Sequence, residues 1–364
     1  MGIREQHSIA YYISAHGYGH GVRSCSILRA IHTLYPQLTV HVVSRLPEPF
    51  LRNRIGAARN IFRSESFDTG MVQIDSIRVD VDATLSAVEQ LHSRREERIA
   101  AEASFLRENT IGLIVADIPS IPIEAAARRG IPRIAVSNFA WDWIYSAFVP
   151  RNQRWHAVVE TFRRAYGQTD LLLRLPFCDS MSAFPRIEDI PLVAAPGKAR
   201  RKDIMAMTGC DPAKKWVLLS FTTLDWDESA LKAVERMDDY EFFTVRPLAW
   251  ERRNIHALDR EQVDFSSVIA SVDAVVSKPG FGILSDCIVN RKPLIYADRC
   301  DFLEYAILEA AIKKYIKHLH IPSADLYLGD LRDSLDRIWE RPDPPENLPA
   351  GGDEIAAGRI VSFL

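Results

Sequence analysis

The sequence predicts an α/β protein made of two doubly wound Rossmann-like domains facing a central cleft. Short apolar runs alternate with helix-period segments along the whole chain, the pattern of parallel sheets with crossover helices. Two of those runs end in glycine turns that open onto helices, and a proline-rich connector lies between the two series. The 364 residues are enough for two separate cores.

In the first half, strands are expected at Ile9 to Ser14, Thr39 to Ser44, Gly112 to Ala116, Arg133 to Ser137 and Leu171 to Arg174, with a charged helix from about Thr84 to Leu106. The stretch from Pro176 to Lys202 holds Pro176, Pro185, Pro191 and Pro196 and no sustained period, so it reads as a connector. A second series follows at Trp216 to Phe221, Phe242 to Val245, Ala274 to Ser277, Pro293 to Tyr296 and Tyr315 to Lys317. The tail after Pro349 carries Ile355, Ile360 and Leu364 and predicts a short final helix. The expected division is 1–193 for the first domain, 194–345 for the second and 346–364 for the tail.

The first glycine turn lies in SIAYYISAHGYGHGVRSCSILRAIHTL, Ser8 to Leu34. Gly17, Gly19 and Gly21 permit positive φ and close approach of backbone to a ligand. Cys25, Leu28, Ile31 and Leu34 then recur at helical spacing, so the turn leads to a helix N-terminus that favours anionic groups. His16 and His20 stand in that turn, and histidine is readily poised as a base near neutral pH. From these residues alone three readings stay open: a catalytic histidine, an ordinary glycine loop, and a zinc pair, which needs both histidines on one helical face where glycines disfavour a helix.

The second turn lies in VDAVVSKPGFGILSDCIVNRKPLIYADRCDFLEYAIL, Val272 to Leu308. Pro279 sets its entry, Gly280 and Gly282 let the next helix present N–H groups to an anion, and Lys278 adds a cation. A diphosphate is the expected guest. Asp286, further along that helix, is either a ligand for sugar hydroxyls or a dipole-compensating acid.

Composition narrows the function classes. A net charge of -3 gives no global field to recruit nucleic acid, and the basic clusters at Arg94 to Arg98 and Lys198 to Lys202 read as a solvated face and a linker. No apolar run approaches the roughly 20 residues of a membrane helix, so no integral membrane segment is expected. MGIREQ lacks a signal core, and Cys25, Cys178, Cys210, Cys287 and Cys300 are scattered without C-x-x-C. A cytoplasmic location follows as the expectation.

The HGYGHGVR and KPGFG turns resemble those of the GT-B superfamily of nucleotide-sugar glycosyltransferases, over nearly the full length. VADIPSIPIEAAARRGIPRIAVSNFAWDWIYSAFV (Val115 to Val149) and LLLRLPFCDSMSAFPRIEDIPLV (Leu171 to Val193) are similar to the N-terminal, glycosyltransferase-like half of plant L-arabinokinases; the phosphate loop of the kinase half is not found in this sequence. The resemblance implies a metal-independent, inverting transfer from a nucleoside diphosphate sugar, commonly a UDP-sugar, to a hydroxyl acceptor, with no cofactor. It implies His20 as the base and Asp117 as its orienting carboxylate, with His16 the exchangeable alternative. It also implies Gly280, Gly282, Lys278, Asp286 and Glu304 as donor contacts. Gly19 and Arg23 of the first turn and Asn138, Trp141 and Asp142 of NFAWDWIY are the acceptor-side candidates; the tryptophans fit sugar stacking or a packed core equally. SFTTLDWD, Ser220 to Asp227, departs from the family, which has a glycine-rich loop there. Two alternatives therefore accompany transfer: a nucleotide-sugar hydrolase, because GYGHGVR also resembles the G-x-G-H-x-x-R loop of a UDP-sugar hydrolase, and a nucleotide-sugar binding module without turnover.

Overall fold

The computed structural model describes residues 8–75, 77–299 and 301–364, so MGIREQ and Cys300 lie outside the described residues. The chain forms two compact units, Met1–Val72 with Asp80–Ala194 and Pro349–Leu364, and Gln73–Val79 with Ala195–Leu348.

The first unit runs β1 (Ser8–Ile13), α1 (Tyr18–Leu34), β2 (Val40–Val43), α2 (Glu48–Ile55), β3 (Asn60–Arg63), α3 (Val81–Ser93), α4 (Arg95–Glu108), β4 (Ile111–Asp117), α5 (Ile121–Arg128), β5 (Arg133–Ser137), α6 (Trp141–Ser146), α7 (Arg154–Tyr166), β6 (Leu171–Arg174) and β7 (Ile187–Asp189). Its strands form one parallel sheet in the order β3-β2-β1-β4-β5-β6-β7. The central strands are nearly continuous apolar runs because helices cover both faces. The order reverses between β1 and β4, which opens a crevice at their carboxyl ends.

The second unit runs α8 (Arg201–Thr208), β8 (Lys215–Ser220), α9 (Glu228–Glu235), β9 (Tyr240–Val245), β10 (Ile255–Leu258), α10 (Phe265–Ser271), β11 (Ala274–Ser277), α11 (Phe281–Asn290), β12 (Leu294–Ala297), α12 (Tyr305–Tyr315), β13 (His318–Ile321), α13 (Ser323–Tyr327) and α14 (Arg332–Ile338). Its parallel sheet has the order β10-β9-β8-β11-β12-β13, with the reversal between β8 and β11. Gln73–Val79 belongs here: Ile77 enters the second core and the Tyr327 hydroxyl donates to Asp75 at 3.3 Å.

Several elements differ from the sequence expectation. The strands β3, β7 and β10 go unread because each has three or four residues and sits at or near a sheet edge, with half-exposed positions that blur the pattern. The helix expected over 84–106 is two helices, broken at Arg94, whose ψ of 15 leaves the helical range. The last strand begins at His318, after the expected Tyr315 to Lys317, because α12 carries its apolar stripe to Tyr315 and ends on Lys313 and Lys314, which suit a helix C-terminus. None of Gly17, Gly19, Gly21, Gly280 and Gly282 has positive φ. Gly17 and Gly280 cap α1 and α11 in extended conformation, so lack of a Cβ, not left-handed geometry, distinguishes them.

The tail does not stand apart. The helix α15 (Gly352–Val361) lies on α1, with Ala356, Ala357, Ile360 and Val361 in the first core. The Leu192 N–H donates to Pro349 O and the Gly352 N–H to Leu192 O. A Cβ on Gly352 would lie 2.1 Å from the Pro191 carbonyl oxygen, so only glycine fits this crossing. Among the described residues no helix is long and apolar enough to cross a membrane, and Cys25, Cys178, Cys210 and Cys287 are free thiols. Ile360 is fully buried, so Ile360→Ala is expected to lower stability by about 2–5 kcal/mol, measured by urea unfolding; a loss below about 0.5 kcal/mol would show that α15 contributes nothing to the first core.

Candidate functional site

In the first unit the helix α1 begins at Tyr18, so His20 stands in its first turn instead of a loop. His20, Arg23 and Ser24 are then spaced i, i+3 and i+4 and share one helical face. That face meets Asp117, the last residue of β4, whose side chain is fully buried. The Arg23 guanidinium donates to both Asp117 oxygens, Nε to Oδ2 at 2.7 Å and Nη2 to Oδ1 at 2.5 Å. The Ser24 hydroxyl donates to Oδ2 at 2.9 Å, and His20 Nδ1 lies 2.8 Å from Oδ1.

Arg23 Nη2 also lies 2.9 Å from His20 Nδ1, but Nη2 is already directed to Asp117 Oδ1; with Nδ1 donating to that carboxylate, Nε2 keeps a free lone pair. Burial raises the Asp117 pKa, but Arg23 and then His20 more than offset it, holding the carboxyl well below the usual carboxylate range. Asp117 is therefore ionised wherever the protein is folded at ordinary pH.

His16 follows β1, and its ring lies edge-on to His20 at 4.5 Å and to Trp141 at 4.9 Å between centroids. Burial, and then the neighbouring His20, push His16 well below its ordinary pKa, so it is neutral near pH 7. Asp68, which no motif or spacing singles out, also reaches this place. Its carboxylate accepts from the Ser14 hydroxyl and from Trp141 Nε1 at 3.3 Å, and lies 4.0 Å from His16 Nδ1.

The acceptor-side candidates divide. A Cβ on Gly19 would meet nothing within 4 Å, so the backbone there is open to approach. Arg23 and Asn138 are instead internal supports: Arg23 Nη1 donates to Asn138 Oδ1 at 2.9 Å, and the guanidinium is committed to Asp117. Trp141 is buried and walls the histidine pair, stacked on Tyr145 at 5.2 Å. Asp142 points to a different partner, Arg163 at 3.5 Å, and burial pushes it up to about 6 against the pull of that guanidinium.

In the second unit the KPGFG turn joins β11 to α11, and Gly280 has no intramolecular neighbour closer than 3.9 Å to an added Cβ. Arg299, from the loop after β12, donates Nη1 to the Pro279 carbonyl at 3.2 Å, and its side chain is 5% exposed. Its guanidinium lies over the Phe302 ring, while its buried Nε has no hydrogen-bond partner among the described residues. Glu304 is 3.9 Å away. Burial, then the Arg299 charge, bring Lys278 down to about 7 against Glu304, and burial brings Arg299 down to about 10. Two cations thus stand near one carboxylate, Glu304, at a helix N-terminus, an excess of positive charge that suits an anion. Asp286 is half-buried in the middle of α11, where its carbonyl accepts from Asn290. Gly282, in the first turn of α11, is exposed. Among the described residues no group of three or more His, Cys, Asp or Glu is arranged to hold a metal ion.

The SFTTLDWD loop after β8 is packed: Leu224 and Trp226 are buried in the second core and Trp226 Nε1 donates to Leu326 O at 2.7 Å. Large side chains, not glycines, fill this strand end.

No family model matches the sequence. The chain is 27% identical over 361 residues to L-arabinokinase of Arabidopsis thaliana, covering 96% of this chain and 33% of that protein. It therefore spans about a third of the length of this relative. Among solved structures, the glycotransferase of kitacinnamycin superposes over 99% of this chain and 100% of its own with a TM-score of 0.61 at 13% identity. The calicheamicin glycosyltransferase CalG4 gives 0.59 at 14% over 98% and 94%, and a UGT transferase from Siraitia grosvenorii in complex with UDP gives 0.58 at 10% over 98% and 99%. The fold is GT-B. At these identities the likeness concerns architecture.

Asp117→Asn leaves the buried Arg23 without its counter-charge and is expected to cost about 3–5 kcal/mol in urea unfolding. Asp117→Asn combined with Arg23→Met should lose less than Asp117→Asn alone, because the orphaned cation is gone. A double variant no more stable than the single would show that the pair is not what holds this corner together.

Proposed function

We propose that the protein is a metal-independent, inverting glycosyltransferase that moves a sugar from a nucleoside diphosphate sugar, taken to be a UDP-sugar, to a hydroxyl acceptor in the cytoplasm. The observation that carries it is the His20–Asp117 hydrogen bond at the first switch point, which leaves Nε2 of His20 free to accept a proton. The excess of cations at the KPGFG turn supports a diphosphate as the second unit's ligand.

In this reaction the acceptor hydroxyl gives its proton to His20 Nε2 and its oxygen forms a bond to the anomeric carbon. The bond from that carbon to the diphosphate oxygen breaks, and the diphosphate leaves with the electron pair. A single displacement inverts the anomeric configuration. Asp117 stabilises the imidazolium while staying ionised. The α11 N–H groups, Lys278 and Arg299 take up the charge of the leaving group, the part a divalent metal plays in other transferases. Gly282 and Asp286 remain donor-side candidates on α11, Asp286 for ribose hydroxyls, and Glu304 for the donor sugar.

His20→Ala is expected to lower turnover by roughly 100-fold or more while UDP affinity stays within about twofold, because a general base does not hold the diphosphate. Nucleoside diphosphate release from a panel of nucleotide sugars, with and without cell extract as acceptor, measures it. Release that does not need extract would identify a hydrolase, and binding without release a sensor.

Lys278 supplies a test with a defined sign. With its pKa near 7 it is largely neutral one unit above that value, and a bound diphosphate favours the charged form. Binding of UDP there should take up roughly one proton, and affinity should fall as pH rises above 7. Calorimetry in buffers of different ionisation heat reads the uptake. Lys278→Met should abolish it; uptake that persists would place the anion elsewhere.

A further inference from the structure

The feature of the first unit that His20 and Asp117 leave unused is a second histidine and carboxylate beside them. Asp68 lies in the segment after β3, and its side chain is 3% exposed. Both of its hydrogen bonds, from the Ser14 hydroxyl and the Trp141 indole, fall on Oδ2, and Oδ1 accepts none among the described residues. The Nδ1 atom of His16, buried and without a hydrogen-bond partner among the described residues, lies 4.0 Å from that Oδ2. The His16 side chain is 21% exposed and so within reach of a ligand, while its buried Nδ1 carries the cost of an unmet hydrogen bond that no described residue of the unit offsets.

The surroundings hold both groups in place. The backbone of Gly70, at φ +67, lies against His16 so closely that a Cβ there would be 2.5 Å from the His16 Cβ. The Gly70 carbonyl accepts from the Tyr145 hydroxyl at 3.3 Å, and Ser66 Oγ donates to the Asp68 carbonyl at 2.9 Å. The segment is thus tied to α6 and cannot drift from the histidines.

We propose that His16 and Asp68 form a second hydroxyl-binding pair, so that the acceptor is a polyol presenting two neighbouring hydroxyls, one to His20 and the other to His16. The proposal rests on the glycosyl-transfer reading and names its acceptor class. The 4.0 Å gap is longer than a hydrogen bond, and such contacts in ligand-free sites often tighten when substrate binds. When it closes, Nδ1–H of His16 donates to Asp68, and Nε2 accepts from the second hydroxyl. His16 suits that part because burial keeps it neutral, an acceptor and not a cation. Two imidazoles 4.5 Å apart between centroids match two oxygens on adjacent carbons better than two distant ones. Trp141 and Phe139 flank His16 as apolar walls for the carbon face of such a ring.

The probes are myo-inositol, which has adjacent hydroxyls on every carbon, and cyclohexanol, which has one. The protein is labelled with 15N-histidine, and the ring nitrogen shifts of His16 and His20 are followed by NMR during titration with each. Inositol is expected to move the signals of both histidines and cyclohexanol those of His20 at most. In Asp68→Asn the His16 response should be lost and inositol affinity weakened by roughly 10-fold or more, since a hydrogen bond to a charged group is removed. UDP affinity of that variant should equal that of the wild type. Equal responses to the two probes, no histidine response to inositol, or an unchanged His16 response in Asp68→Asn would each overturn the proposal. If Asp68→Asn does not fold, as judged by its melting curve, the comparison of the two probes on the wild type still decides. A protein that binds inositol in this way but releases no nucleoside diphosphate would retain the polyol site and lose the transfer reaction, so the two failures are distinct.

Discussion

The first unit depends on one buried negative charge. Asp117 lies at the end of β4, where desolvation alone would drive it to take up a proton, and it stays ionised because Arg23, His20 and Ser24 all donate to it. Those three donors must come from one face of one helix, which requires α1 to start before His20. The start is made possible by glycines whose service is steric. A Cβ on Gly21 would fall 2.6 Å from Leu46 Cδ1 and 2.7 Å from Phe50 Cε1, so glycine lets α1 pack closely against Leu46 and Phe50. Gly17 and Gly19 face open space instead, which keeps the helix N-terminus approachable.

The second unit repeats the topology with the opposite electrostatics. At its switch point the buried charges are Lys278 and Arg299 against Glu304, and no arrangement of three such groups is neutral when all are ionised. Arg299 relieves part of the cost through the Pro279 carbonyl and the Phe302 ring. Lys278 relieves its own by giving up its proton readily. A cation with a pKa near 7 beside the proposed anion site would favour anions over neutral molecules, since an anion restores its proton. The packed SFTTLDWD loop shows that the adjoining strand end has been given over to core, with Trp226 stacked on Trp250 at 5.0 Å, which leaves α11 and the β12 loop as the place of the proposed anion site on this side of the sheet.

The central strands and both switch-point turns were legible because buried parallel strands leave long apolar runs and glycine turns punctuate them. Edge strands such as Asn60–Arg63 and Ile187–Asp189 were not, since half-exposed residues carry no clean period. In the site, the face formed by His20, Arg23 and Ser24 was written in the sequence as an i, i+3, i+4 pattern, but the propensity of glycine against helices argued for a loop there. Tertiary contact with Asp117 overrides that propensity. Asp68 and Arg299 left no local mark: each sits in an irregular segment whose neighbours in space, Ser14 and Trp141 in one case and Pro279 in the other, are remote in sequence. Such residues are visible only once the strands have been brought side by side.

The two histidines differ in the way a division of labour requires. His20 has a full carboxylate partner at 2.8 Å, and His16 has one only at 4.0 Å. With the rings 4.5 Å apart between centroids, two imidazolium charges would repel strongly in so buried a place. Burial, and then the neighbouring His20, hold His16 well below its ordinary pKa, so His16 is the neutral member of the pair. In the proposed reaction the proton from the acceptor hydroxyl therefore goes to the ring that Asp117 backs, and His16 keeps the part of a hydrogen-bond acceptor. A His16–Asp68 contact as short as the His20–Asp117 one would blur this order by offering that proton two equivalent destinations.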